Sequence, residues 1–179
     1  KTDRCEAFPC PVPRAPCPTV DMSISPELSE IVDFLAQHAP FDRVQQSLLV
    51  DAARQMEIIY RRKGEVLLNI GAANTSLAVI RRGAVEVHDA QDRLVIQLAE
   101  GESYGLPSLL TGNPVRNRVS MIEDGLIYLL PVAQFRILCA ADPNFDQFYV
   151  RTLEDRLRGA AQNHAANPMM ATPVGQLLR

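Results

Sequence analysis

SLAVIRRGAVEVH, residues 76–88, holds two apolar runs, Ser76–Arg81 and Ala84–His88, divided by Arg82-Gly83. Short runs of Val, Ile and Leu bounded by Gly or Asp turns read as β-strands. The same signature recurs on both sides. Met56–Tyr60, Glu65–Ile70, Leu94–Ala99, Arg116–Ile122 and Leu126–Leu130 are set apart by Lys63-Gly64, Gly71 to Asn74, Asp89 to Asp92 and Asp124-Gly125. Strands this short, joined by turns this tight, predict an antiparallel β-roll or jelly roll.

Helical periodicity flanks the β region. Ser25 before Pro26, with Glu27 and Glu30 behind it, is an N-cap arrangement, and Ile31, Phe34 and Leu35 make one apolar stripe that Pro40 ends. Phe41, Val44, Leu48, Leu49 and Ala52 continue at helical spacing toward Gln55, predicting a second helix. After Pro131, Val132, Phe135, Leu138 and Cys139 predict a short helix ending near Asp142-Pro143, with Cys139 a buried small hydrophobe. Phe145, Phe148, Tyr149, Thr152, Leu153 and Leu157 predict a longer one, with Glu154 and Arg158 spaced to pair at i,i+4. The fold class is mainly β with flanking helices (α+β).

Composition excludes several functions. A net charge of -3 over 179 residues leaves no basic footprint for nucleic acid. No apolar window is long enough to cross a bilayer, so a soluble, cytoplasmic protein is expected. Residues 1–21 crowd Pro9, Pro11, Pro13, Pro16 and Pro18 with Cys5, Cys10 and Cys17, which forbids helix and predicts a disordered leader or upstream segment before Met22. Those cysteines fall one ligand short of a zinc site. His38, His88 and His164 form no His-x-His pair, and no Gly-x-Ser-x-Gly elbow, Walker loop or paired carboxylate stands out. Neither metal nor catalysis is expected in these residues.

Residues 101–123, GESYGLPSLLTGNPVRNRVSMIE, are the stretch with chemistry to offer. Glycines ahead of a helix start leave amides pointing outward, where the helix dipole favours an anion. That predicts a phosphate cradle at Tyr104, Gly105, Leu106, Pro107 and Ser108. Arg116, Asn117 and Arg118 follow the Gly-Asn-Pro turn and are candidates to complete it.

With Gly64 ahead of one strand and Gly71 after it, residues 76–88 and 101–110 resemble the cyclic-nucleotide-binding domain, the β-roll of bacterial cAMP-responsive regulators and the protein kinase A regulatory subunit. The resemblance runs from Ile31 to Leu157. It implies cAMP, cGMP or another nucleotide as ligand, and a C-terminal helix that lies over the pocket as a lid and pairs with its twin in a homodimer. It also implies a Glu on the ribose hydroxyl and an Arg on the cyclic phosphate. Here those two positions hold Leu106 and Val115, and Pro107 removes one amide from the cradle. Strand alternation puts Val115, Val119 and Met121 on one face and Arg116 and Arg118 on the other, unless a bulge after Pro114 re-aims Arg116. If the register holds, Leu106→Glu and Val115→Arg should create or strengthen binding.

The chain divides into the leader 1–21, a cyclic-nucleotide-binding-like domain 22–163 and a linker 164–179. The last of these, from Met169, is similar to the segment that leads into a cystathionine-β-synthase (CBS) pair in bacterial signal-transduction proteins. Those proteins join a cyclic-nucleotide-binding-like domain to a CBS pair and a nucleotidyltransferase domain, and their cassettes often end in Glu-Asp, as Glu123-Asp124 does. The resemblance therefore implies a regulatory sensor that binds a small anionic ligand and relays to downstream domains. The alternative is a ligand-free interaction or dimerisation module. A DNA-binding regulator is a third option, without a visible helix-turn-helix.

Overall fold

Strand β3 (Ser76–Arg82) is buried on both faces, and the whole molecule is layered around it in the computed structural model, which describes residues 25–165. Side chains on a strand alternate. Leu77 and Val79 accordingly enter one apolar cluster, and Ala78 and Ile80 enter another. Strand β8 (Gly125–Pro131) repeats the division, with Tyr128 and Leu130 on the first side and Ile127 on the second.

The second cluster is the interior of the roll. One antiparallel sheet runs in the order β1 (Glu57–Arg61), β8, β3, β6 (Ser103–Tyr104). The facing sheet runs β2 (Val66–Leu68), β7 (Arg118–Met121), β4 (Val85–His88), β5 (Leu94–Leu98). Between them Val85, Val87, Leu98, Tyr104, Val119 and Met121 close on Ala78, Ile80 and Ile127. This is the predicted antiparallel roll.

The first cluster is the seam between the roll and its helices, α1 (Pro26–Leu35), α2 (Gln46–Arg54), α3 (Leu106–Thr111), α4 (Val132–Ala141) and α5 (Pro143–Ala165). Helix α1 starts as expected, the Leu28 amide donating to Ser25 Oγ at 3.3 Å. Arg81 ties it to the roll: its guanidinium lies 4.6 Å above the Phe34 ring and reaches Glu30 at 3.4 Å and Glu100 at 3.3 Å.

Several expected boundaries move. The second predicted helix splits into a 3₁₀ turn, Phe41–Arg43, and α2, because Val44 is extended. Strand β6 was not expected at all; at two residues it is too short to show alternation. The strand predicted from Arg116 begins only at Arg118. Arg158 pairs with Asp155 at 3.2 Å, not with Glu154. Cys139 is only half-buried at the edge of the helical seam, and burial pushes its thiol up to about 11, away from thiolate chemistry. Helix α5 runs Pro143–Ala165. The expectations for residues 1–21 and 166–179 lie outside the described residues.

Candidate ligand cavity

A cavity of about 570 Å³ opens on the helical side beside Arg81, but Glu30 and Glu100 already engage that arginine. The cassette lines a different one. This second cavity, about 870 Å³, lies between the facing sheet, the α3 loop and α5. Cavities near this size accommodate drug-sized organic molecules.

The cassette is built on Gly105. Its φ is +89°, a conformation L side chains rarely adopt, and an added Cβ would meet Asn74 Nδ2 at 2.7 Å. Asn74 fastens the turn by donating to the Gly105 carbonyl at 2.9 Å and to Ser108 Oγ at 3.2 Å. Ser108 in turn donates its hydroxyl to the Gly105 carbonyl at 2.9 Å. Nothing in its own sequence neighbourhood marked Asn74 as part of the cassette; it reaches it across thirty-one positions.

Of the predicted site residues, Tyr104, Gly105, Pro107, Ser108, Arg116 and Asn117 line this cavity. Leu106 and Arg118 do not. Leu106 is 1 % exposed and packs into the helical seam with Leu109, Phe34 and Leu35 as neighbours in the same cluster. The position that resemblance assigns to a ribose contact is thus a core position here, because α3 turns its first side chain away from the cavity. Arg118 lies on the outer face of β7 and binds Asp92 Oδ1 in the turn between β4 and β5.

Arg116 is placed by the irregular backbone before β7. Gly71 N–H donates to the Val115 carbonyl at 2.8 Å, and Val115 N–H donates to the Ala72 carbonyl at 2.9 Å. Those bonds fix Val115, but regular strand starts only at Arg118, so two-residue alternation does not run through Val115–Asn117. Val115, Arg116 and Asn117 all reach the cavity wall.

The phosphate-cradle expectation is correspondingly reduced. Helix α3 has six residues and therefore a small dipole, and Pro107 contributes no amide. Charge comes from elsewhere, through a residue that sequence reading passed over. Arg156 of α5 lines the cavity and donates through Nη2 to the Ser103 carbonyl at 3.1 Å. Burial pulls its pKa below the usual arginine value, with Glu102 and Tyr149 opposing, and the group remains a cation. Its only signal in the sequence was a polar residue seven positions beyond Tyr149 on the same helix, two turns along.

The architecture is thus a roll of two four-stranded antiparallel sheets, capped by helices and carrying a glycine-built cassette on a cavity. Residues 58–142 match the family model described as "Cyclic nucleotide-binding domain". A cyclic nucleotide-gated potassium channel of Mesorhizobium japonicum is 26 % identical over 121 residues, 68 % of this chain and 33 % of the channel. The chain therefore spans about a third of that relative's length. Among solved structures, the cAMP-bound PfPKA-R superposes with a TM-score of 0.72 at 12 % identity, over 79 % of this chain and 49 % of that one. The regulatory subunit of a cAMP-independent protein kinase A from Trypanosoma brucei superposes with a TM-score of 0.68 at 14 % identity, over 76 % and 50 %. Similarity at that identity establishes the fold alone.

Proposed function

We propose that this domain is a regulatory sensor in signal transduction: a small anionic ligand of the nucleotide class enters the cavity, and α5 relays its presence. The observation that carries this reading is that Arg116 and Arg156 line the same cavity, one from the segment after the cassette helix and one from α5. A ligand that draws on both arginines binds better when α5 is closed, and that difference in affinity is what shifts a conformational equilibrium. Relatives named for cyclic nucleotides support cAMP or cGMP as the first ligands to try. Downstream, the reading extends to a CBS pair and a nucleotidyltransferase domain as the recipients of the signal, in the cytoplasm. A homodimer paired through α5 is part of the same reading, with Phe148, a large apolar side chain exposed on that helix, as the contact to test.

A second reading, a docking module that keeps the fold without the ligand, is favoured by Leu106 in the core and Val115 on the wall. Calorimetric titration with cAMP and cGMP separates the two, read together with hydrogen exchange along α5. Binding with slowed exchange in α5 is the expected result. No heat at millimolar nucleotide would sink the nucleotide version, and binding without any change in α5 would sink the relay. Val115→Arg places a guanidinium on the wall itself and is expected to tighten nucleotide binding about tenfold, the effect of one charge-assisted hydrogen bond of about 1.5 kcal/mol.

A further inference from the structure

We propose that the cavity selects an anionic group carried on an apolar body, gripped jointly by Arg116 and Arg156, without reading a sugar hydroxyl. This rests on the sensor reading above and names the ligand chemistry that reading leaves open.

The argument starts from the four charged residues on the wall, Glu102, Asp155, Arg116 and Arg156. They sum to zero, yet they are not equivalent. Both carboxylates are already engaged within the fold: Glu102 Oε2 accepts the Ala99 amide at 2.8 Å, and Asp155 binds Arg158 at 3.2 Å. Neither guanidinium is held in an ion pair among the described residues. Arg116 makes no ion pair or side-chain hydrogen bond among the described residues. Arg156 makes one hydrogen bond among the described residues, to a neutral carbonyl, out of the five donors a guanidinium carries.

Arg156 is a partly buried cation whose hydrogen bond goes to a neutral carbonyl, with the Glu102 charge nearby but making no ion pair with it among the described residues, so its lost hydration is only partly compensated. An anion arriving between the two arginines supplies what is missing, through charge-assisted bonds strengthened by the apolar surroundings. Arg156 can then trade the Ser103 carbonyl for the ligand, or hold both through its fork. The rest of the wall specifies the ligand's body. Leu68, Val87, Val95, Ile96, Leu98 and Val119 form an apolar floor, which suits an aromatic or aliphatic group. With Leu106 turned into the core, the carboxylates left on the wall are Glu102 and Asp155, one taken up by the Ala99 amide and the other by Arg158, so the site has no dedicated carboxylate for a sugar diol.

The test uses the chain as it stands and three probes: 1-naphthyl phosphate, 1-naphthoate and neutral 1-naphthol, titrated by fluorescence and calorimetry. At least one of the anions is expected to bind about tenfold tighter than naphthol, and the phosphate and carboxylate arms identify which head group fits. Arg116→Gln and Arg156→Gln should each lower the anion's affinity about tenfold and leave naphthol unchanged. Arg116 is exposed, so its variant folds even if removing Arg156 loosens α5. Equal binding of naphthol and the anions, absence of binding by all three, or anion affinity unaffected in both variants would each overturn the proposal. Should cAMP bind, its 2′-deoxy form is expected to bind within about twofold, and a loss of about tenfold or more counts against the inference. The two readings fail separately. Cyclic nucleotide binding with no naphthyl-anion binding removes this inference alone, whereas naphthyl-anion binding that leaves α5 exchange unchanged removes the relay alone.

Discussion

Leu106→Glu is expected to destabilise the domain by about 4 kcal/mol and to create no ribose contact, although resemblance alone would recommend that substitution. The side chain at this position is 1 % exposed and sits in the seam where α3 meets the helices, not at the cavity. The change removes a well-packed leucine and buries a carboxyl group for which the cluster, made of apolar side chains, offers no partner. Against a total stability of about 5–15 kcal/mol, such a loss is a large share. In a domain of this length it corresponds to a melting temperature lower by about 10 °C. The pH dependence follows from burial, which raises the folded-state pKa of the new glutamate above its unfolded value near 4.3. Below that value the carboxyl is neutral in both states and the penalty is smallest; as pH rises the unfolded chain ionises first and the penalty grows. Urea unfolding at pH 4 and pH 8 checks the sign, with Leu106→Met, expected within about 1.5 kcal/mol of the parent, as control. A stable Leu106→Glu variant with improved cAMP affinity would show that the side chain faces the cavity after all.

Phe145→Ala is expected to cost about 3–5 kcal/mol and to release α5 from the body of the domain. Phe145 is 1 % exposed and its ring lies 5.3 Å from Phe41, 5.9 Å from Phe135 and 5.1 Å from Tyr149, centroid to centroid. Truncation leaves a cavity among rigid rings that cannot collapse to fill it, and it removes tilted and edge-to-face contacts as well. Because the start of α5 is anchored there and Arg156 lies about three turns further along, ligand affinity should fall with the anchor. Phe148→Ala is the comparison. That ring is 36 % exposed, and its loss should cost about 1 kcal/mol. Denaturant midpoints of the two variants test the ranking; equal midpoints would mean that α5 is held by something other than its ring cluster.

Much of the fold was legible because the β region repeats a simple signal. Apolar runs between Gly and Asp turns became strands within a residue or two, except where the run was too short to alternate, as in Ser103–Tyr104. Strand alternation served equally well inside β7, where Val119 faces the roll and Arg118 binds Asp92 outside. It failed at Arg116 for a physical reason. Alternation is a property of extended, paired backbone, and the three residues after Pro114 are not part of a regular strand.

The sequence by itself determined the antiparallel roll, the helices around it and the glycine turn at the cassette, since each follows from local periodicity and backbone geometry. Only the tertiary structure decided what the cavity is made of. Leu106 leaves the site because α3 docks on the helical seam; Asn74 fastens the cassette turn from thirty-one residues earlier, and Arg156 reaches the cavity from a helix fifty-three residues beyond Ser103. Contacts across such distances are fixed by how packed layers meet, and that depends on the summed burial of many side chains, which no local pattern in the chain records.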